Sequence, residues 1–211
     1  DPVQFHTASN DENLVQGAVI GMLLIMVIYN LFVYFSTRDI NYLYYVGFIA
    51  SYLLFHLTLT GYSFAYLWPN AVHWNSLAIS TFAASAAVFT CLFTDSFLKL
   101  RSFSRPASYL VRGMMVCSAI MLVLSFVLPY ALSIRIVVAI ALPITATALI
   151  MGYWRWWRGA RFARFYCLTW TAILLGLAVL NASKVGWIPT NIWTVNASQI
   201  GIVLLVILLS F

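Results

Sequence analysis

The chain holds few residues able to do chemistry, and their positions narrow what that chemistry could be. Its only two lysines, Lys99 and Lys184, stand at the ends of apolar runs, so the last run has no central lysine to hold a retinal Schiff base. Among the five acids, only Asp95 lies inside an apolar run, about one helical turn from its end. Proton-coupled transport would call for a relay of buried acids. Asp95 alone is better read as half of an ion pair at a membrane boundary, with Arg38 or Arg112 as its partner. His56 is the one histidine inside an apolar run, and no glycine-flanked serine motif accompanies it. A nucleophile–base pair for intramembrane proteolysis is therefore missing. His6 and His73 sit in polar segments too sparse to make a metal site. Cys91, Cys117 and Cys167 are odd in number and all lie in apolar runs, which suits small buried hydrophobes rather than a disulfide framework. No catalytic residue, metal site or cofactor is expected.

The elements that position these groups follow from composition. Of 211 residues, 64% are hydrophobic and only 8% charged. Soluble domains run at roughly 45–50% apolar and about 25% charged, so this chain cannot clothe a folded surface in polar side chains. That excludes a soluble enzyme, a nucleic-acid-binding module and a secreted disulfide scaffold. The apolar runs predict seven spans: Leu14 to Phe35, Tyr42 to Leu59, Ser76 to Leu98, Tyr109 to Leu128, Ile134 to Trp154, Phe165 to Ser183, and Ile192 to Phe211. Each has about the length a helix needs to cross the hydrocarbon core. Alternation of period two is absent, and backbone groups in lipid must bond within their own segment, so the spans are helices. The expected fold is an all-α polytopic membrane protein, a seven-transmembrane-helix bundle over residues 14–211. Residues 1–13 are polar rather than signal-like, and the whole chain is expected to be a piece of something longer.

Loop charge orients the bundle. Arg38, Lys99, Arg101, Arg105, Arg112, Arg155, Arg158, Arg161 and Arg164 fall on one side, against Arg135 and Lys184 on the other. The positive-inside rule places the larger set in the cytoplasm, with the N-terminus outside and the C-terminus cytoplasmic. Trp68, Trp74, Trp187 and Trp193 then mark the outer boundary, and Trp154, Trp156 and Trp157 the inner one, as aromatic anchors. The segment from Arg155 to Arg161 is expected to hold anionic lipid headgroups. Asn181-Ala182-Ser183 and Asn196-Ala197-Ser198 match the glycosylation acceptor pattern but overlap spans, so they are read as chance.

With this topology, His56, Arg135, Asn181, Asn196 and Gln199 share one depth near the outer ends of their spans. Polar groups at that depth should face each other or water. They form either interhelical hydrogen bonds, worth roughly 0.6 kcal/mol each, or an outward-facing cavity for a ligand or adjoining domain.

The first span and its loop read Gly17-Ala-Val-Ile-Gly21, then Met26-Val-Ile-Tyr29-Asn30-Leu31-Phe32, Ser36-Thr-Arg38-Asp39 and Tyr42-Leu43-Tyr44-Tyr45. This resembles the opening of the membrane domain of the bacterial seven-transmembrane receptors with diverse intracellular signalling modules. Gly61, Trp68-Pro69, Pro106, Gly186 with Pro189, and Gly201 extend the resemblance over essentially the whole chain. It implies a receptor domain of the bacterial inner membrane, without catalytic activity of its own. Such domains relay a periplasmic or membrane signal from an upstream sensory domain, of which residues 1–13 would be the remnant as a periplasmic tail, to a cytoplasmic histidine kinase or diguanylate cyclase, in a parent that is often a homodimer. Beside the resemblance, Gly17 and Gly21 are four residues apart and make a smooth face for another helix. Asn30 is expected to bond a neighbouring helix, Arg38 and Asp39 to close a turn, and Pro143 to free a carbonyl and kink its span. The alternative, a small transporter or channel, predicts two similar halves with broken helices around a midplane site.

Overall fold

A computed structural model describes residues 2–184, 189, 199, 201–204 and 206 of the chain. Among them every regular element is a helix: α1 (Pro2–Thr37), α2 (Ile40–Leu59), α3 (Tyr62–Tyr66), α4 (Val72–Phe97), α5 (Leu100–Phe103), α6 (Arg105–Leu124), α7 (Tyr130–Trp157) and α8 (Ala163–Lys184). Five of these, α1, α2, α4, α6 and α7, are long and apolar enough to cross a membrane. The sixth predicted span coincides with α8. Most of the seventh, 192–211, lies outside the described residues, within which 199, 201–204 and 206 are helical. The chain is a multi-pass membrane protein.

Local chemistry sets the helix ends, and several differ from expectation. α1 runs back to Pro2, through the segment expected as a tail. Proline is at ease in a first turn, where its missing N–H is one of the unpaired donors anyway, and no breaker follows it. At the end of α1, Arg38 takes a left-handed backbone (φ 57°) and returns its N–H to the Tyr34 carbonyl at 2.8 Å. Asp39 then caps α2 by accepting from the Asn41 N–H at 2.9 Å. α6 starts at Arg105 rather than Tyr109, because Pro106 fits its first turn and the Ser108 N–H bonds the Ser104 carbonyl at 3.1 Å. α7 starts after Pro129, earlier than expected, and stays helical through Pro143. The short helices α3 and α5 were not anticipated, being too brief for hydrophobic periodicity to register.

α4 is the central helix, packing on α2, α6 and α7, while α1 packs on α2 and α7 on α8. Half of its span is buried (50%), against 17% for α1 and α7, whose exposed Phe32, Ile25 and Leu142 turn outward to lipid. Tyr45, Ile49, Leu98, Leu100 and Tyr166 are among the largest fully buried side chains. An aromatic stack threads this core: Tyr45 to Phe93 at 5.4 Å between ring centroids, Phe93 to Phe97 at 5.0 Å, and Phe97 to Tyr166 at 5.8 Å.

Two expectations about small residues are corrected. A Cβ added at Gly17 or Gly21 would meet nothing within 4 Å among the described residues, because α1 faces the core through Val19 and Leu23 instead. Close approach occurs elsewhere: a Cβ at Gly152 would meet the Tyr166 ring at 2.8 Å, and one at Gly201 the Ala172 carbonyl oxygen at 2.9 Å. Cys91 and Cys167 are buried as expected, but Cys117 is exposed on the outer face of α6, where lipid gives an apolar thiol as good a home as the core.

Candidate functional site

The last turn of α4 supplies two polar groups in succession, Thr94 and Asp95. Successive helical residues point about 100° apart, so the pair serves two different neighbours. Thr94 Oγ1 donates to the Thr90 carbonyl at 2.7 Å, which leaves it to accept from the Tyr166 hydroxyl of α8 at 2.8 Å. Asp95 turns to α6, accepting from Ser108 Oγ at 2.7 Å and from Arg112 Nε at 2.8 Å. Below them, Arg155 of α7 donates from Nε to the Leu98 carbonyl at 3.0 Å and lies over the Phe103 ring at 4.6 Å. Through Nε and the face of its guanidinium, this arginine pins the turn after α4. The Tyr45 hydroxyl donates to the Val206 carbonyl at 2.7 Å, tying α2 to the helical residues near the end of the chain.

The other predicted residues are distributed around this joint. Arg38 is exposed, its guanidinium 6.0 Å from the Phe35 ring, so Asp95 has Arg112 as its partner and not Arg38. Asn30 is fully buried and donates its amide to the Met26 carbonyl one turn back at 2.8 Å. Tyr42 lines a cavity of about 380 Å³ together with Tyr45, Arg161 and Arg164. Tyr29 is exposed on α1. Trp68 Nε1 donates to Asn75 Oδ1 at 3.2 Å and meets Trp74 edge-on at 6.1 Å, with Pro69 exposed beside it.

The five groups expected at a common depth are not gathered into one site among the described residues. His56 is 5% exposed and its Nε2 donates to Gln16 Oε1 at 2.9 Å, with Tyr52 stacked on its ring at 6.3 Å. Gln16 was missed in the sequence because a single glutamine in a long apolar run carries no motif. Its only signal is that it must find a partner once buried. Arg135 is exposed on α7, and no hydrogen bond or ion pair joins it to His56. Gln199 is helical and half-buried, its Oε1 enclosed without a partner among the described residues. Asn196 and the side chain of Asn181 lie outside the described residues. Within them there is also no cluster of three His, Cys, Asp or Glu that could hold a metal ion.

These bonds join helix to helix, and none activates a nucleophile. A family model described as 7TM diverse intracellular signalling matches residues 12–211. The chain belongs to that family. No curated protein and no solved structure matches it. For a 7TM diverse intracellular signalling domain, a receptor-type membrane domain, the informative geometry is mechanical: which helices are clasped, where, and by what bonds. Thr94 and Tyr166 belong to that set and were not foreseen, since a threonine and a tyrosine in apolar runs read simply as tolerated residues.

Proposed function

We propose that this chain is the membrane relay of a bacterial receptor. It forms a seven-helix bundle in the inner membrane, N-terminus outside and C-terminus cytoplasmic, in a parent that works as a homodimer. It passes a periplasmic or membrane signal to a cytoplasmic output module, a histidine kinase or diguanylate cyclase, by displacing its last helix. The nine basic residues on one side of the spans support the orientation. The observation that carries the relay is the 2.7 Å bond from the Tyr45 hydroxyl to the Val206 carbonyl. With Gly201 seated against the backbone of α8, it fixes the exit helix to two others. A bond of this kind is worth about 1 kcal/mol, small enough for two arrangements of the helix to lie close in energy, as a switch requires. A transporter would need a broken helix about a midplane site, whereas α7 stays helical through Pro143.

The test is Tyr45→Phe in the full-length receptor, in membranes. Removing a bond of about 1 kcal/mol should change basal output roughly five-fold, with unchanged membrane insertion. Spin-label distances between α2 and the last helix should broaden in parallel. Unaltered output and unaltered distances would overturn the relay, as would a parent reading frame with no output module.

A further inference from the structure

The turn between α4 and α6 builds a feature that signalling does not use. Leu98 and Leu100 are both fully buried and anchor the chain on either side of Lys99. Lys99 is thereby forced into the left-handed region (φ 51°), which a side-chain-bearing residue adopts at a cost of about 1 kcal/mol. The turn aims the cations of Lys99 and Arg101 into the space between α4 and α6. Two cavities meet there. One of about 310 Å³ is lined by Arg101, Arg105, Ser108, Tyr109 and Arg112. The other, about 600 Å³, shares Arg101 and Arg112 with it and continues between the helices past Cys91, Leu92, Val111 and Met115.

Charge in this pair of cavities is unbalanced. Asp95 engages only Nε of Arg112, leaving both Nη groups of that guanidinium to an outside acceptor. Lys99, Arg101 and Arg105 make no ion pair among the described residues. Guanidinium forks match the oxygens of a phosphate in pairs, which three converging arginines can exploit together. Behind the cationic cavity the larger one gains apolar walls from Leu92, Val111 and Met115. A ligand with a phosphate at one end and a hydrocarbon chain at the other fits both.

We propose that the two cavities form one binding site for an anionic phospholipid. The phosphate is held by Arg101, Arg105 and Arg112, and an acyl chain lies along Cys91, Leu92, Val111 and Met115. Tyr109, 71% exposed at the mouth, offers its hydroxyl to the headgroup. The site does not depend on the signalling role. Occupancy would brace α4 against α6 at the joint where Asp95 already links them.

Native mass spectrometry of the detergent-solubilised protein tests this by titration with phosphatidylglycerol, phosphatidylcholine and glycerol 3-phosphate. The expected result is one retained phosphatidylglycerol, bound at least ten-fold more tightly than phosphatidylcholine, and no retained glycerol 3-phosphate. Arg101→Gln/Arg105→Gln should weaken phosphatidylglycerol about 30-fold, on the order of five-fold for each cation removed. Arg38→Gln/Arg158→Gln removes the same charge from the same end of the bundle, outside the cavities, and should weaken it less than three-fold. Equal losses in the two double variants would mean diffuse boundary electrostatics and overturn the site. Equal affinity for the two lipids would overturn it as well, and glycerol 3-phosphate bound as tightly as lipid would overturn the acyl-chain half. Circular dichroism of each variant identifies misfolding, and Arg105→Lys, with its charge kept and its fork lost, should weaken binding by an intermediate factor.

Discussion

The two ends of the bundle are held together differently. At the basic end, α4 is clasped to α6 through Asp95 and Arg112, to α8 through Thr94 and Tyr166, and to α7 through Arg155 and the Leu98 carbonyl. Fully buried aromatic and aliphatic side chains surround these bonds. At the opposite end, α1 and α2 meet through His56 and Gln16, and Trp68, Trp74, Phe82 and Phe126 pack as an aromatic group near the boundary. Buried, mutually satisfied polar bonds have discrete geometry, so moving a helix they hold means breaking them. Displacing α4 at the basic end must break bonds to three neighbours, whereas at the other end the buried polar contacts are His56 with Gln16 and the Thr81 and Ser125 hydroxyls, 2.9 Å apart.

Substitutions can break or sharpen that contrast. Tyr166→Ala should have the largest effect, about 3–5 kcal/mol of lost stability for emptying a fully buried aromatic site, read as a lowered thermal midpoint in detergent. Gly152→Ala should cost about 1–3 kcal/mol, since the new methyl would meet the Tyr166 ring at 2.8 Å in a stack with no room to give. Gly17→Ala, with nothing within 4 Å, should leave the midpoint unchanged or raise it slightly; a loss matching that of Gly152→Ala would erase the distinction between a packed joint and an open face. His56→Ala should be the mildest of the destabilising changes, roughly 0.6 kcal/mol. If its midpoint falls as far as that of Tyr166→Ala, the two ends are equally rigid and the contrast fails.

Five of the spans were legible because lipid imposes one rule on every residue of a run, and a local rule can be read locally. Helix ends were less so. Arg105 and Ser108 make the start of α6 look like a loop, though Pro106 suits a first turn. Whether Asp95 would choose Arg38 or Arg112 depended on which helix lies beside the last turn of α4, a fact of tertiary register that spacing along the chain does not hold. Gly17 and Gly21 have the right spacing for close packing, yet the side of α1 that faces its neighbour is set by Val19 and Leu23. Gln16 and Thr94 were silent for a related reason: one polar residue in an apolar run has no meaning until its partner, 40 residues away for Gln16 and 72 for Thr94, is brought alongside.

Among the described residues, the side-chain-bearing positions with a left-handed backbone are Arg38 and Lys99, and each stands in a turn directly after a membrane-crossing helix. Glycine would relax either turn by about 1 kcal/mol. It would also remove a cation from beside a span, and such cations instruct the insertion machinery which way a nascent helix should face. The finished fold thus tolerates a small conformational strain at two points whose charge matters earliest, while the chain is still being threaded into the bilayer.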